Sequence, residues 1–243
     1  MPRFAIYYVP QAEDAFYRLG TSIVGYDVRA RTTATMPPDL QLQIGQFDTS
    51  WIGLSQKFGF HLTICDALDC EWSTIPRVER ELAELLACFD PAHPFTLRKQ
   101  DNVPVGIWGE AGRNTLVLLY EPNTYFSMLH TLIVARINPL GTGSVYLRRY
   151  LDHPEKIQQS HRAQQLRLFH SATVLDNWYP HFTLLNPYTG GEPAAMASLL
   201  ARLFEPYAQL TIRSVCLLVQ MDNETKWHIY REFVRPTDQS QTG

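Results

Sequence analysis

Phe60-His61-Leu62-Thr63-Ile64 and His181-Phe182-Thr183-Leu184-Leu185 decide how this chain is read. Both alternate apolar and polar side chains, the pattern of a β-strand with one buried face. In a strand, side chains at i and i+2 share a face. His61 and Thr63 therefore point one way, and Phe60, Leu62 and Ile64 point the other, into a core. His181 and Thr183 are opposed in the same manner by Phe182 and Leu184.

Outward from these strands the same order of parts recurs. The first strand is followed by a helix ending Leu85-Leu86-Ala87-Cys88-Phe89-Asp90-Pro91, then by Pro94-Phe95-Thr96-Leu97-Arg98. The second is followed by a helix ending Leu199-Leu200-Ala201-Arg202-Leu203-Phe204-Glu205-Pro206, then by Gln209-Leu210-Thr211-Ile212-Arg213. A His-x-Thr tripeptide opens each copy, and the two lie 120 residues apart. This degenerate internal repeat predicts an α+β fold: two pseudo-symmetric lobes of antiparallel sheet, outer helices and a central cleft. The expected unit is one bilobal domain over residues 1–234, followed by a frayed polar tail over 235–243.

Other segments fit that frame. Residues 3–9 read as a strand stopped by Pro10, 11–25 as a helix ending near Gly25, and 26–39 as loop. Phe58 to Leu68 is a strand. Residues 75–89 form the clearest helix, with Val78, Leu82, Leu85, Leu86 and Phe89 on one face. Strands are expected near 95–99, 104–109 and 114–120, and a helix over 122–137 stopped by Asn138-Pro139-Leu140-Gly141. A polar helix over 155–169, a strand over 179–185 and a helix over 192–204 follow. A strand pair over 208–221 and 226–234 closes the chain.

Two imidazoles and two hydroxyls on one surface define a chemistry. An imidazole exchanges a proton near neutral pH, so a pair can divide the roles of base and acid. Hydroxyls can donate to non-bridging phosphate oxygens. The set suits in-line displacement at phosphorus, with one His taking a proton from water and the other protonating the departing alkoxide. It needs no metal or other cofactor, and two His with Thr partners make a poor ligand set. His93, His130 and His228 have no recurring context and read as structural.

Composition sets outer bounds. The chain has 243 residues, 45% hydrophobic and 19% charged, with a net charge of −3. That is a globular balance, and it excludes a globally basic nucleic-acid binder. Locally, residues 145–170 hold Arg148, Arg149, Lys156, Arg162 and Arg167 against Asp152 and Glu155. This bias could steer a phosphate-bearing substrate; a solvated helix face is the plainer reading. Cys65, Cys70, Cys88 and Cys216 match no zinc or redox spacing, which suits a reduced, cytoplasmic setting. No secretory leader and no membrane span are expected.

With both His-x-Thr motifs in view, the sequence resembles the 2H phosphoesterase superfamily, named for paired His-x-Thr/Ser motifs in a two-lobed fold. Its members include bacterial RNA 2′,3′-cyclic phosphodiesterases first described as 2′–5′ RNA ligases. The opening Arg3-Phe4-Ala5-Ile6-Tyr7-Tyr8-Val9-Pro10 and the block Phe58-Gly59-Phe60-His61-Leu62-Thr63 are most similar to the branch found beside bacterial phosphonate-utilisation genes. The likeness runs from residue 3 to about 234 in order of elements. Where that branch often has a Lys and prolines after its first motif, this chain has Ile64-Cys65-Asp66-Ala67-Leu68. Its motifs are also farther apart than in compact RNA-type members, the excess falling between residues 121 and 177.

The resemblance implies a metal-independent hydrolase that opens a cyclic phosphodiester, either a 2′,3′-cyclic nucleotide or an RNA end. His61, Thr63, His181 and Thr183 would be catalytic. Tyr7, Phe60 and Tyr188 lie near the site strands in sequence and are expected to stack on a base. A small phosphonate-pathway cyclic phosphate is an alternative substrate. Alternative functions are a non-catalytic nucleotide or RNA-end binding module with the same cleft, and a hydrolase using Cys65, which by alternation shares a face with Thr63. No membrane association and no obligate protein partner are expected.

Overall fold

The computed structural model describes residues 1–110, 112–156 and 160–235. Strand β1 (Arg3–Tyr8) leads into helix α1 (Ala15–Val24), the small hairpin β2 (Tyr26–Asp27) and β3 (Thr32–Thr33), and helix α2 (Pro38–Ile44). Next come β4 (Leu62–Asp69), α3 (Ile75–Ala87), β5 (Phe95–Lys99), β6 (Val105–Glu110), β7 (Arg113–Pro122) and α4 (Thr124–Arg136). The chain continues through β8 (Gly143–Ser144), α5 (Val145–Asp152), α6 (Ser160–Phe169), β9 (His181–Tyr188) and α7 (Pro193–Leu203). It closes with β10 (Gln209–Ile212), β11 (Ser214–Gln220) and β12 (His228–Val234). The fold is α+β. No helix among the described residues is long and apolar enough to cross a membrane.

One antiparallel sheet runs β10-β5-β7-β9-β4-β1-β11-β12, with β6 added to β7 and β8 to β4. The two motif strands are its central neighbours. They meet at Leu62↔Phe182 and run away from each other in opposite directions. A pseudo-twofold axis through that pair relates β4 and β1 to β9 and β7.

The symmetry extends to defects in the strands. Against β1, Tyr7 faces Thr63, Ile6 faces Cys65 and Phe4 faces Leu68, so β4 carries an extra residue twice. Against β7, Val117 faces Thr183, Leu116 faces Leu185 and Asn114 faces Tyr188, so β9 bulges at the same two steps. Residues 62–68 and 182–188 also share one order of buried and half-exposed positions. Each bulge turns the residues beyond it to the other face.

The expected strand 208–221 is two strands. β10 pairs with β5 and β11 with β1, and Arg213 alone separates them. Consecutive Cα atoms are only about 3.8 Å apart. Strands near the two ends of the sheet order must therefore approach each other, so the sheet is curled. A further difference concerns the last part of the repeat. Phe95–Lys99 and Gln209–Ile212 are not separated into facing lobes but pair with each other, Thr211 opposite Thr96.

The core beneath the motifs is aromatic. Phe60 and Phe182, the apolar neighbours of the two histidines, stack at 4.8 Å, and Phe16 meets both rings edge-on at 5.0 Å. Gly20 of α1 lies directly on Phe60, where a Cβ would come within 2.3 Å of the ring. The helix can approach the strand only because that residue has no side chain.

Arg235 is not part of a frayed tail. Its guanidinium lies 3.8 Å from the Phe95 ring centroid and donates to the carbonyls of Asp90 and His93. The remainder of the expected tail, 236–243, lies outside the described residues, as do 157–159 of the expected polar helix.

Candidate active site

Gly59 and Tyr179 precede the histidines at equivalent places and serve them alike. His61 Nδ1 donates to the Gly59 carbonyl at 2.9 Å, and His181 Nδ1 to the Tyr179 carbonyl at 2.7 Å. With the proton on Nδ1, each neutral ring leaves Nε2 as its lone-pair nitrogen. His61 Nε2 accepts from the Thr63 hydroxyl at 3.2 Å. The antiparallel register about Leu62↔Phe182 sets His61 beside Thr183 and Thr63 beside His181. All four side chains line one cleft of about 810 Å³, a size that accommodates a nucleotide-sized ligand.

Both histidines hold protons weakly. Burial pushes His61 down to about 4; its bond to Gly59 opposes this, and the neighbouring His181 adds to it. Burial also lowers His181, against the bond to Tyr179 and the negative charge of Asp66.

Aromatic groups frame the pair unequally. Tyr7 of β1 stacks on His61, and Trp108 of β6 meets His181 edge-on. Phe58 and Trp178 stand three residues before the two motif histidines and also line the cleft. The Trp178 indole donates to the Thr63 carbonyl at 3.0 Å and stacks on His130. His130 is structural: Nδ1 donates to the Ile64 carbonyl, and Nε2 accepts from the Leu175 amide.

The segment from β8 to β9 walls one side of the cleft. α5 supplies Tyr146, α6 supplies Arg162, and the stretch before β9 supplies Thr173, Val174, Asn177 and Trp178. Of the local basic residues, Arg148 pairs with Asp69 and Arg167 covers Tyr150. Arg162 reaches the cleft, where its buried Nε has no hydrogen-bond partner among the described residues.

Three expected site residues need correction. Phe60 is fully buried in the aromatic core, on the face opposite His61, and offers no surface to a ligand. Tyr188 is packed against Trp51 at the far end of β9 and does not line the cleft. Cys65 is turned off the cleft by the bulge after Thr63, and its thiol donates to Asn138. Tyr7 does reach the cleft, but it is 3% exposed and in contact with His61.

The same bulge brings Asp66 into the cleft, where strict alternation would have hidden it. Thr173 donates to its carboxylate at 2.7 Å, and Ser171 donates to the same oxygen. Among the described residues, no group of three or more His, Cys, Asp or Glu side chains is gathered to hold a metal ion.

No protein-family model matches this sequence, and no curated protein matches it. A solved structure described as "Crystal structure of phosphoesterase" is similar to the chain at a TM-score of 0.41 and 13% identity, over 96% of this chain and 98% of that one.

Proposed function

We propose that this chain is a 2H-type phosphoesterase that opens a cyclic phosphodiester, a 2′,3′-cyclic nucleotide or an RNA end bearing one, by two-histidine acid/base catalysis. The observation that carries this reading is the twinned motif: two imidazoles with the same Nδ1 anchor and an adjacent threonine, related by symmetry on one cleft. Backbone anchoring of Nδ1 fixes each ring and leaves Nε2 for proton exchange. One Nε2 takes a proton from water as the water oxygen bonds to phosphorus. The other gives its proton to the alkoxide oxygen as the bond from that oxygen to phosphorus breaks. With phosphate bound, the Thr63 hydroxyl turns its proton from His61 Nε2 to a non-bridging oxygen and so frees Nε2. Thr183 donates to a non-bridging oxygen as well, and Arg162 supplies positive charge that balances the phosphate. The four free cysteines fit a cytoplasmic setting.

The test is to incubate the purified protein with 2′,3′-cyclic nucleotides in EDTA and separate the products. A ring-opened monoester is expected. His61→Ala and His181→Ala should each lower kcat by roughly 10²–10⁴. The double variant should be little worse than the poorer single one, since groups acting as a unit are non-additive. Full activity in either single variant, or tight nucleotide binding without turnover, would refute the catalytic reading.

A further inference from the structure

The two halves of the cleft are built alike but filled differently. Counting along the bulged strands, Thr63 corresponds to Thr183, Cys65 to Leu185 and Leu68 to Tyr188. Asp66 therefore corresponds to Asn186, and both line the cleft. The two side chains have nearly the same shape. One is a carboxylate and the other a neutral amide.

Asp66 holds a proton more tightly than a free aspartate, and its neighbours limit that rise. Burial raises its proton affinity, while the hydroxyls of Ser171 and Thr173 and the neighbouring His181 oppose that rise. Among the described residues no Lys or Arg forms an ion pair with it. Tyr7 from β1, Cys65 from its own strand and Tyr146 from α5 all feel its charge. Each stays protonated: burial first, and then the carboxylate, push Tyr7 and Cys65 well up, and the carboxylate first pushes Tyr146 up to about 12. Arg3 acts on Tyr7 and Arg149 on Tyr146, and Arg162 of α6 lines the same cleft. The antiparallel register puts the part of β4 beyond Leu62, including Asp66, on the His181 side and away from His61. Of the two motif histidines only His181 has a contribution from Asp66, which opposes the lowering by burial.

We infer that Asp66 is the positioning residue that makes the twin histidines unequal, assigning His181 as proton donor and His61 as proton acceptor. The inference rests on the acid/base reading of the cleft. In the forward step His61 Nε2 receives the proton of the attacking water, and the new oxygen–phosphorus bond forms. The opposite oxygen–phosphorus bond breaks, and the leaving oxygen takes the proton from His181 Nε2. Turnover leaves His61 charged and His181 neutral, and exchange with solvent restores the starting pair. Asn186 leaves His61 without a matching anion, so the reverse assignment has no electrostatic support.

The experiment is an NMR pH titration of the His61 and His181 rings in wild type, Asp66→Asn and Asn186→Asp, with no substrate present. In Asp66→Asn the His181 midpoint should move to lower pH while that of His61 stays. In Asn186→Asp the His61 midpoint should rise. Kinetically, Asp66→Asn should move the alkaline limb of kcat/KM downward, with roughly a tenfold loss at neutral pH for each unit of that movement. Asp66→Glu should recover part of the loss. An unmoved His181 in Asp66→Asn, or equal movement of both rings, would overturn the inference. If Asp66→Asn does not fold, an unmoved His61 in Asn186→Asp does the same. If the rings titrate as expected and no cyclic phosphodiester is opened, the pairing of Asp66 with His181 stands and the phosphoesterase reading falls.

Discussion

Tyr7 lies flat on His61, with ring centroids 3.9 Å apart and planes within 17°. The contact follows from the register, because Tyr7 on β1 pairs with Thr63, two residues beyond His61 on β4. The aromatic face keeps water off one side of the imidazole, and a desolvated imidazole disfavours its charged form. Tyr7 thus packs on His61 instead of lying open to a base, and it helps desolvate that ring from the protein side.

The first prediction follows from that contact. Removing the ring in Tyr7→Ala should let His61 climb from about 4 toward the free value near 6.5. A base is lost when protonated, so the acid limb of kcat/KM should move up and activity near pH 5 should fall. Tyr7→Phe keeps the ring and should keep the limb. A pH–rate profile of the three proteins is the check, and an unmoved limb in Tyr7→Ala would separate the stack from the proton affinity.

The second prediction concerns stability. His130 is 2% exposed, its two ring nitrogens are both engaged, and burial lowers it to about 4. Its folded value lies below its unfolded one, so the neutral form's contribution is full above about pH 6.5, falls as pH drops, and is gone once the pH has fallen through about 4. At roughly 1.4 kcal/mol per tenfold change in proton affinity, that loss is on the order of 3 kcal/mol. Urea unfolding at several pH values between 4 and 7.5 should show the slope. His130→Phe should start lower, having lost two hydrogen bonds, but lose less on acidification. An equal slope in both proteins would place the titrating group elsewhere.

Legibility in the sequence stops where β4 and β9 break their own period. His61, Thr63, His181 and Thr183 precede the bulges, so period-2 reasoning puts them on one face, where all four lie. One residue past Thr63 the alternation reverses. Cys65 is buried, Asp66 enters the cleft, and the equivalent residue on β9 is Asn186. A bulge depends on the partner strand, and no local residue pattern announces it. Phe60 was legible as core from its own parity, but nearness in sequence also suggested it as a ligand contact. The run 208–221 has no Gly or Pro to mark a break, so its division between β10 and β11 follows only from their non-local pairing with β5 and β1. Ser171 and Thr173 find Asp66 across more than 100 residues of chain, a contact with no local signature.

The last prediction concerns the cation on the cleft wall. Arg3 also lines the cleft, but it donates to Gln220 and sits 5.5 Å from the Trp227 ring centroid, so it is already engaged. Arg162 has a buried Nε without a partner among the described residues. Leaving a guanidinium donor buried and unmade costs free energy, and a phosphate oxygen in the cleft would satisfy it. A hydrogen bond between charged groups is worth roughly 1.5–3 kcal/mol. Arg162→Ala should therefore raise KM for a cyclic phosphodiester by roughly 10–150-fold, with a smaller change in kcat if the contact is made equally in ground and transition states. Arg162→Lys should recover part of the loss, because charge returns without the planar fork. The loss should shrink as salt rises, since screening weakens the wild-type contact as well. Steady-state kinetics at two ionic strengths, with a thermal melt of each variant, separates binding from folding. An unchanged KM in a folded Arg162→Ala protein would remove this arginine from the phosphate site.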